Sequence, residues 1–388
     1  MGAGFKRDAL LKREEERMSE SIFPKTHLGF GLMRLPKQDN VIIHEEVCRM
    51  ADEFMAQGFT YFDTAYVYAG SEEAFREAVV KRHPRESFTV ADKMAGWVMK
   101  GKLTPEAMFE ESLRRCGVTY FDYYLLHSLT GARKADYEKH DCWTFVKRMK
   151  EQGKIRHLGF SFHGEPELLQ EILEQHPEVE FVQLQINYVD WDSNSIWSGK
   201  NYEICRRFGK EIVVMEPIKG GFLANLPESA EVKLRAVRPG DSAASWALRY
   251  AASLPGVAMV LSGMSEAGQM EDNLATFKSF TPITDEEKIL LREVADQLLS
   301  VPTIQCTACR YCCKGCPKAI NIPEIFKAVN MLVTFGEHIR PHLYYDNLRQ
   351  LGSARARDCI ACGQCEGVCP QHLPIIELLK DASKRLDK

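Results

Sequence analysis

Of the thirteen cysteines in this chain of 388 residues, nine lie between Cys306 and Cys369, and eight of those form two complete runs of one pattern. The first run is Cys306, Cys309, Cys312 and Cys316 followed by Pro317; the second is Cys359, Cys362, Cys365 and Cys369 followed by Pro370. Gaps of two residues let three thiolates on one tight loop reach three corners of a cube. The fourth cysteine leaves at the start of a helix, points away and ligates the other cluster. The spacing therefore predicts two [4Fe–4S] clusters with crossed ligation. Cys306, Cys309, Cys312 and Cys369 hold one, and Cys359, Cys362, Cys365 and Cys316 hold the other. Zinc sites use paired knuckles or add histidines, which is not the arrangement here. Cys313 has no slot in the scheme and reads as a small packed residue.

The other four cysteines, Cys48, Cys116, Cys142 and Cys205, are scattered singly, so no disulfide framework is indicated. The length suits two domains, and 45% hydrophobic with 27% charged residues is ordinary for a soluble globular protein. A net charge of -4 offers no attraction toward nucleic acid or an anionic membrane. No stretch approaches the ~20 apolar residues that span a bilayer. Residues 1–26 form a charged N-terminal segment (Lys12-Arg13-Glu14-Glu15-Glu16-Arg17) without an apolar secretory core, expected to be helical in an expected cytoplasmic protein.

From His27 to Ser262, short apolar runs alternate with amphipathic stretches. The expected strands are His27–Met33, Thr60–Asp63, Phe88–Ala91, Tyr123–His127, His157–Ser161, Phe181–Ile186, Ile212–Glu216 and Ala258–Leu261. Glu106–Cys116, Ser242–Ala252 and Asp285–Leu299 carry helical spacing. Eight strands alternating with helices over roughly 250 residues predict a (β/α)8 TIM barrel over residues 27–300. The competing doubly wound sheet lacks its G-x-G-x-x-G after the first strand. Asp63, Lys93, His127, Ser161 and Asn187 each fall at or just beyond the C-terminal end of an expected strand, on the rim where barrels do chemistry. Residues 301–388 then form a small, mostly α-helical ferredoxin-like domain, its inter-run segment Asn321–Leu351 broken at Pro341.

Asp63, Tyr68, Lys93 and His127 are the chemically promising set. A phenol with a reference pKa near 10 is a poor acid at neutral pH. A nearby ammonium lowers that pKa while a carboxylate orients the lysine, and a histidine beside the phenol can hydrogen-bond a reacting oxygen. Together they make a proton donor for a carbonyl receiving hydride. Taken singly, each also reads as an ordinary helix cap, solvated lysine or core histidine.

The stretches Phe62-Asp63-Thr64-Ala65-Tyr66-Val67-Tyr68, Ala91-Asp92-Lys93-Met94, Leu125-Leu126-His127-Ser128, Gly159-Phe160-Ser161 and Gln183-Leu184-Gln185-Ile186-Asn187-Tyr188, with Gly263–Leu274, closely resemble the aldo/keto reductase family. The whole chain looks like its subgroup with a C-terminal ferredoxin-type domain, whose long helical insert resembles the alpha-helical ferredoxins of respiratory iron–sulfur subunits. The resemblance implies a nicotinamide cofactor, with Tyr68 as proton donor, Lys93 as its pKa modifier, Asp63 orienting Lys93 and His127 orienting substrate. It further implies that Ser161 and Gln185 hold the nicotinamide carboxamide, and that Gly263, Ser265, Gln269 and Asn273 lie along the phosphate and adenosine end. Three positions depart from the family pattern: Met215 stands where relatives stack a tyrosine, Phe162-His163 replaces the asparagine after the serine, and no base lies near Gln269 for a 2′-phosphate. NADP is therefore favoured only slightly over NAD. The family's N-terminal β-hairpin is replaced by the charged segment.

The leading expectation is an oxidoreductase acting on a small-molecule carbonyl or alcohol with NAD(P)H, with a ferredoxin or other electron carrier as a further partner. Nicotinamide delivers two electrons as hydride, each cluster passes one, and no flavin motif bridges them. The clusters thus serve electron transfer or structure. The alternative is an electron-transfer or redox-sensing protein whose barrel is a docking scaffold without hydride chemistry. Trp97, Tyr66, Trp191 and Trp197 are candidate pocket-lining residues by position.

Overall fold

A computed structural model describes residues 21–387 apart from 40, 100, 102, 336–338 and 351. Eight parallel strands close a barrel: β1 (Leu28–Gly31), β2 (Tyr61–Asp63), β3 (Thr89–Met94), β4 (Phe121–Leu129), β5 (Ile155–Phe162), β6 (Phe181–Gln185), β7 (Glu211–Met215) and β8 (Val257–Ser262). β8 returns to β1 in register Leu28↔Val260, which leaves no open edge. Each strand matches one of the eight expected from sequence. All nine residues of β4 are buried, as a parallel strand covered on both faces requires. The register aligns Gly31 with Asp63 and Asp63 with Ala91, so the strand ends form one rim.

Helix ends follow local chemistry. Helix Pro105–Cys116 starts with proline in its first turn, where the missing N–H costs nothing; Thr104 caps the Ala107 N–H at 3.2 Å, and Gly117 closes the helix at φ 72°. Helix Asp285–Leu299 opens on a reciprocal Thr284/Glu287 capping box.

The opposite end of the barrel is filled from the chain start. Phe23 stacks on Tyr123 (4.6 Å, 3°) and meets Phe181 edge-on at 5.2 Å. Tyr123 donates to the Ile22 carbonyl at 2.6 Å, and Ser21 to Glu211 at 2.5 Å. Residues 21–23 of the charged segment expected over 1–26 thus pack against the barrel. Their backbone is irregular rather than helical. The helix expected before them lies outside the described residues.

The cysteine-rich region has its own core of Ile320, Ile325, Phe326, Val329, Leu348, Ile375 and Leu379, built on helices Ile322–Phe335, Ile339–Gln350 and Ile375–Leu386. Pro341 was expected to break the inter-run helix. It sits instead in the first turn of Ile339–Gln350, a position proline tolerates. Cys313 packs half-buried against this core.

This domain docks on the C-terminal rim. Arg34 bonds the Thr307 carbonyl at 3.0 Å, Lys314 the Val67 carbonyl at 3.2 Å, and His372 the His163 carbonyl at 2.8 Å. The approach is closest at Gly220 (φ 66°), where an added Cβ would stand 2.6 Å from the Thr307 oxygen; Gly221 (φ 94°) has nothing within 4 Å. Both carry the left-handed backbone that penalises a side chain by about 1–2 kcal/mol, but only Gly220 meets the docked domain. Gly220→Ala is therefore expected to lower the thermal midpoint well below that of Gly221→Ala. Equal midpoints would remove this contact from the docking.

Candidate active site and iron–sulfur pockets

Three strands and one loop build the catalytic rim. Asp63 ends β2, Lys93 lies in β3, His127 in β4, and Tyr68 follows in the loop after β2. Lys93 is 1% exposed; its ammonium donates to Asp63 Oδ1 at 2.5 Å and to the Thr64 carbonyl at 2.6 Å. It stands 5.1 Å from the centre of the Tyr68 ring. The Tyr68 and His127 rings meet edge-on at 5.5 Å. The four residues expected to act together are thus brought together.

Their electrostatics differ from the sequence expectation at one point. Lys93 was expected to lower the Tyr68 pKa, yet burial pushes the phenol well above its usual value, reinforced by the Tyr311 phenol and the Asp63 carboxylate. Asp63 takes up the Lys93 charge, so desolvation wins. Tyr68 therefore stays protonated at neutral pH. Burial, then the charges of Lys93 and Arg133, hold His127 well below the ordinary histidine value, and it is neutral at physiological pH. Burial also lifts the Asp63 pKa, with Lys93 opposing.

A cleft of about 320 Å³ runs from these residues along the rim. Ser161, Gln185, Met215, Gly263, Ser265, Gln269 and Asn273, the positions expected to contact cofactor, all line it, as does His163. Ser161 Oγ accepts the Ser128 N–H at 2.6 Å, the Ser265 N–H donates to Gln269 at 2.8 Å, and Asn273 donates to Ser262 at 2.9 Å. Asp190 gathers Gln185 (2.8 Å), Asn187 (2.7 Å) and the buried Lys219 (2.5 Å).

Sequence reasoning missed Arg34, Asp190, Lys219, Tyr311 and Gln371. Arg34 lines the cleft, pairs with Glu216 at 2.9 Å and accepts the Ser265 hydroxyl on its carbonyl at 2.7 Å, a cationic residue brought to this end of the cleft from a distant part of the chain. Lys219 alone left a signal, in the Lys219-Gly220-Gly221 turn just after β7. Of the four aromatic candidates, Trp97 lies 5.3 Å from the His127 ring. Tyr66 lies under Arg115, Trp191 packs on Tyr202 and Tyr250, and Trp197 faces His372.

The cysteines separate into the two crossed sets. One pocket is lined by Cys306, Cys309, Cys312 and Cys369, with Ile322, Phe326 and Ile375 around them. A second is lined by Cys316, Cys359, Cys362 and Cys365, with Ile320, Ile376 and Leu379. Four thiols converging on each of two apolar pockets fit four-iron clusters. Cys309 also lines the barrel cleft.

A closed barrel with this rim, joined to a domain of two cysteine quartets, defines an iron–sulfur oxidoreductase. The profile of the aldo/keto reductase family matches residues 27–296, and that of a 4Fe-4S dicluster domain matches residues 305–373. The chain belongs to the aldo/keto reductase family, in the subgroup that carries a C-terminal iron–sulfur domain. It is 28% identical over 149 residues to an aldo-keto reductase of Mycolicibacterium smegmatis, covering 38% of this chain and 50% of that protein. The chain spans 42–50% of the first curated relatives it matches. Among solved structures it resembles the holo form of an aldo-keto reductase from Bacillus halodurans (TM-score 0.55, 25% identity, 69% of this chain and 91% of that one). It shares its fold with an aldo-keto reductase from Klebsiella pneumoniae in complex with NADPH (TM-score 0.56, 19% identity, 72% and 93%). Among the described residues no helix is long and apolar enough to cross a membrane.

Proposed function

We propose that this chain interconverts a small-molecule carbonyl and its alcohol with NADPH or NADH, Tyr68 acting as proton donor. The observation that carries the reading is the buried Lys93–Asp63 pair beneath Tyr68, beside a neutral His127. A bound nicotinamide supplies the hydride. Tyr68 and His127 hold the carbonyl oxygen, and the Tyr68 proton passes to it as negative charge develops. Ser161 and Gln185 would hold the carboxamide, Met215 would lie on the nicotinamide side, and Gly263, Ser265, Gln269 and Asn273 would take the phosphates and adenosine. Arg34 in the cleft wall favours NADPH slightly, in keeping with the ligand of the Klebsiella relative. Titrating anaerobically purified protein with each nucleotide and following its fluorescence tests the reading. A response to neither removes hydride chemistry.

The two cysteine pockets would each hold a [4Fe–4S] cluster, and the pocket of Cys306, Cys309, Cys312 and Cys369 adjoins the barrel cleft through Cys309. That adjacency favours exchange of electrons with the site or with a ferredoxin-type carrier over a purely structural role, in a cytoplasmic protein. About eight irons per chain are expected. Iron near four, or stoichiometric zinc, on a fully reconstituted sample contradicts the assignment. Cys369→Ser is expected to lose the cluster of the first run, which lies 53 or more residues earlier in the chain.

A further inference from the structure

The barrel cleft already holds two side chains from the iron–sulfur domain. Tyr311 stands between Cys309 and Cys312, and Gln371 two residues beyond Cys369. The Tyr311 phenol oxygen lies 3.4 Å from His127 Nε2, its ring edge-on to the imidazole at 6.3 Å. The Tyr68 ring stands edge-on to the same imidazole at 5.5 Å, and both phenols line the one cleft. Tyr311 thus occupies the point between Tyr68 and His127 that a carbonyl oxygen must reach. Gln371, 5% exposed, trades two hydrogen bonds with Gln185: Gln185 Nε2 donates to Gln371 Oε1 at 3.1 Å, and Gln371 Nε2 donates to Gln185 Oε1 at 2.7 Å. That reciprocal pair is what any primary carboxamide, nicotinamide included, would form with Gln185.

We propose that Tyr311 and Gln371 are a built-in ligand of the barrel, filling the carbonyl and carboxamide positions until nucleotide and substrate displace them. The inference rests on the reading that this cleft takes a nicotinamide. Two contacts support it independently, since Tyr311 and Gln371 come from different cysteine runs and meet different barrel residues. Both residues lie within two positions of a cysteine of a single cluster pocket, so the segments that must shift, around residues 305–313 and 369–373, are those that grip that cluster. When the competent arrangement is a minor fraction of the population, apparent affinity falls by that fraction. Removing the occupant restores it.

The test uses the full chain with both clusters reconstituted and iron content checked. NADPH binding is measured by fluorescence titration for the wild type and for Gln371→Ala, alongside hydrogen–deuterium exchange of residues 305–313 and 369–373. The expected result is a dissociation constant for Gln371→Ala at least about tenfold lower than wild type, as for an occupant present nine-tenths of the time. In the wild type, NADPH is expected to raise exchange in both segments. If Gln371→Ala loses iron, Gln371→Glu replaces it, since a carboxylate of equal length cannot donate to Gln185. Equal or weaker binding by the variant, with exchange unchanged by NADPH, overturns the built-in ligand and leaves the nicotinamide reading standing. No binding of NADPH or NADH by any form overturns both.

Discussion

Replacing Tyr68 with phenylalanine is expected to slow carbonyl reduction by about 10²–10⁴-fold, the usual contribution of a positioned general acid, with nucleotide affinity essentially unchanged. The phenol is the one group of the four with a proton suited to an alkoxide. Lys93 has committed its ammonium to Asp63 and to the Thr64 carbonyl, and His127 is held neutral by its surroundings. The substitution removes one oxygen and leaves the ring against His127 and Lys93, so the site keeps its shape. Parallel measurements of turnover and nucleotide binding check it. A Tyr68→Phe enzyme with near-normal turnover would move the proton donor to His127 or His163.

Lys93→Met is expected to be severe twice over, in activity and in stability. Asp63 is 4% exposed and its Oδ2 has no hydrogen-bond partner, so loss of the ammonium strands a carboxylate in the barrel. Breaking a buried ion pair from one side costs about 3–5 kcal/mol. The double change Lys93→Met with Asp63→Asn removes the stranded charge and is expected to recover much of that stability without recovering catalysis. The deficit of the single variant also has a sign with pH. Burial alone raises the folded-state pKa of Asp63 above its unfolded value of 3.8. The folded state then binds more protons than the unfolded one between those two values, and stability falls as pH rises through that window. Denaturation midpoints at low and neutral pH measure it, and a deficit that shrinks toward neutral pH would refute the account.

The barrel was legible because its signals are local and repeat. Each strand is a short apolar run, and a polar residue at the same end of successive runs has no other cause than a shared rim. The cysteine quartets were legible for the same reason, since three ligands of each cluster lie within seven residues and the fourth follows from helix geometry. What sequence did not yield comes from contacts across the chain. Tyr311 reaches His127 across 184 residues, Gln371 reaches Gln185 across 186, and Arg34 reaches Thr307 across 273. No spacing rule links such pairs. The direction of the Tyr68 pKa failed differently: the neighbouring charge was visible in the sequence, but the depth of burial that outweighs it belongs to the assembled fold. Phe23 was hidden because one aromatic residue after a charged stretch carries no mark of the barrel floor it completes.

That floor gives the molecule two poles. The residues around Phe23 lie at strand starts, among them Tyr61 of β2, Phe181 of β6 and Ala258 of β8, so residue 21 sits where the strands begin, and the cysteine loops sit where they end. A surface anchor attached at residue 21 would leave the iron–sulfur face turned outward, toward a dissolved electron donor. Bound the other way, by its cysteine-rich face, the same molecule would bring its redox centres against an electrode.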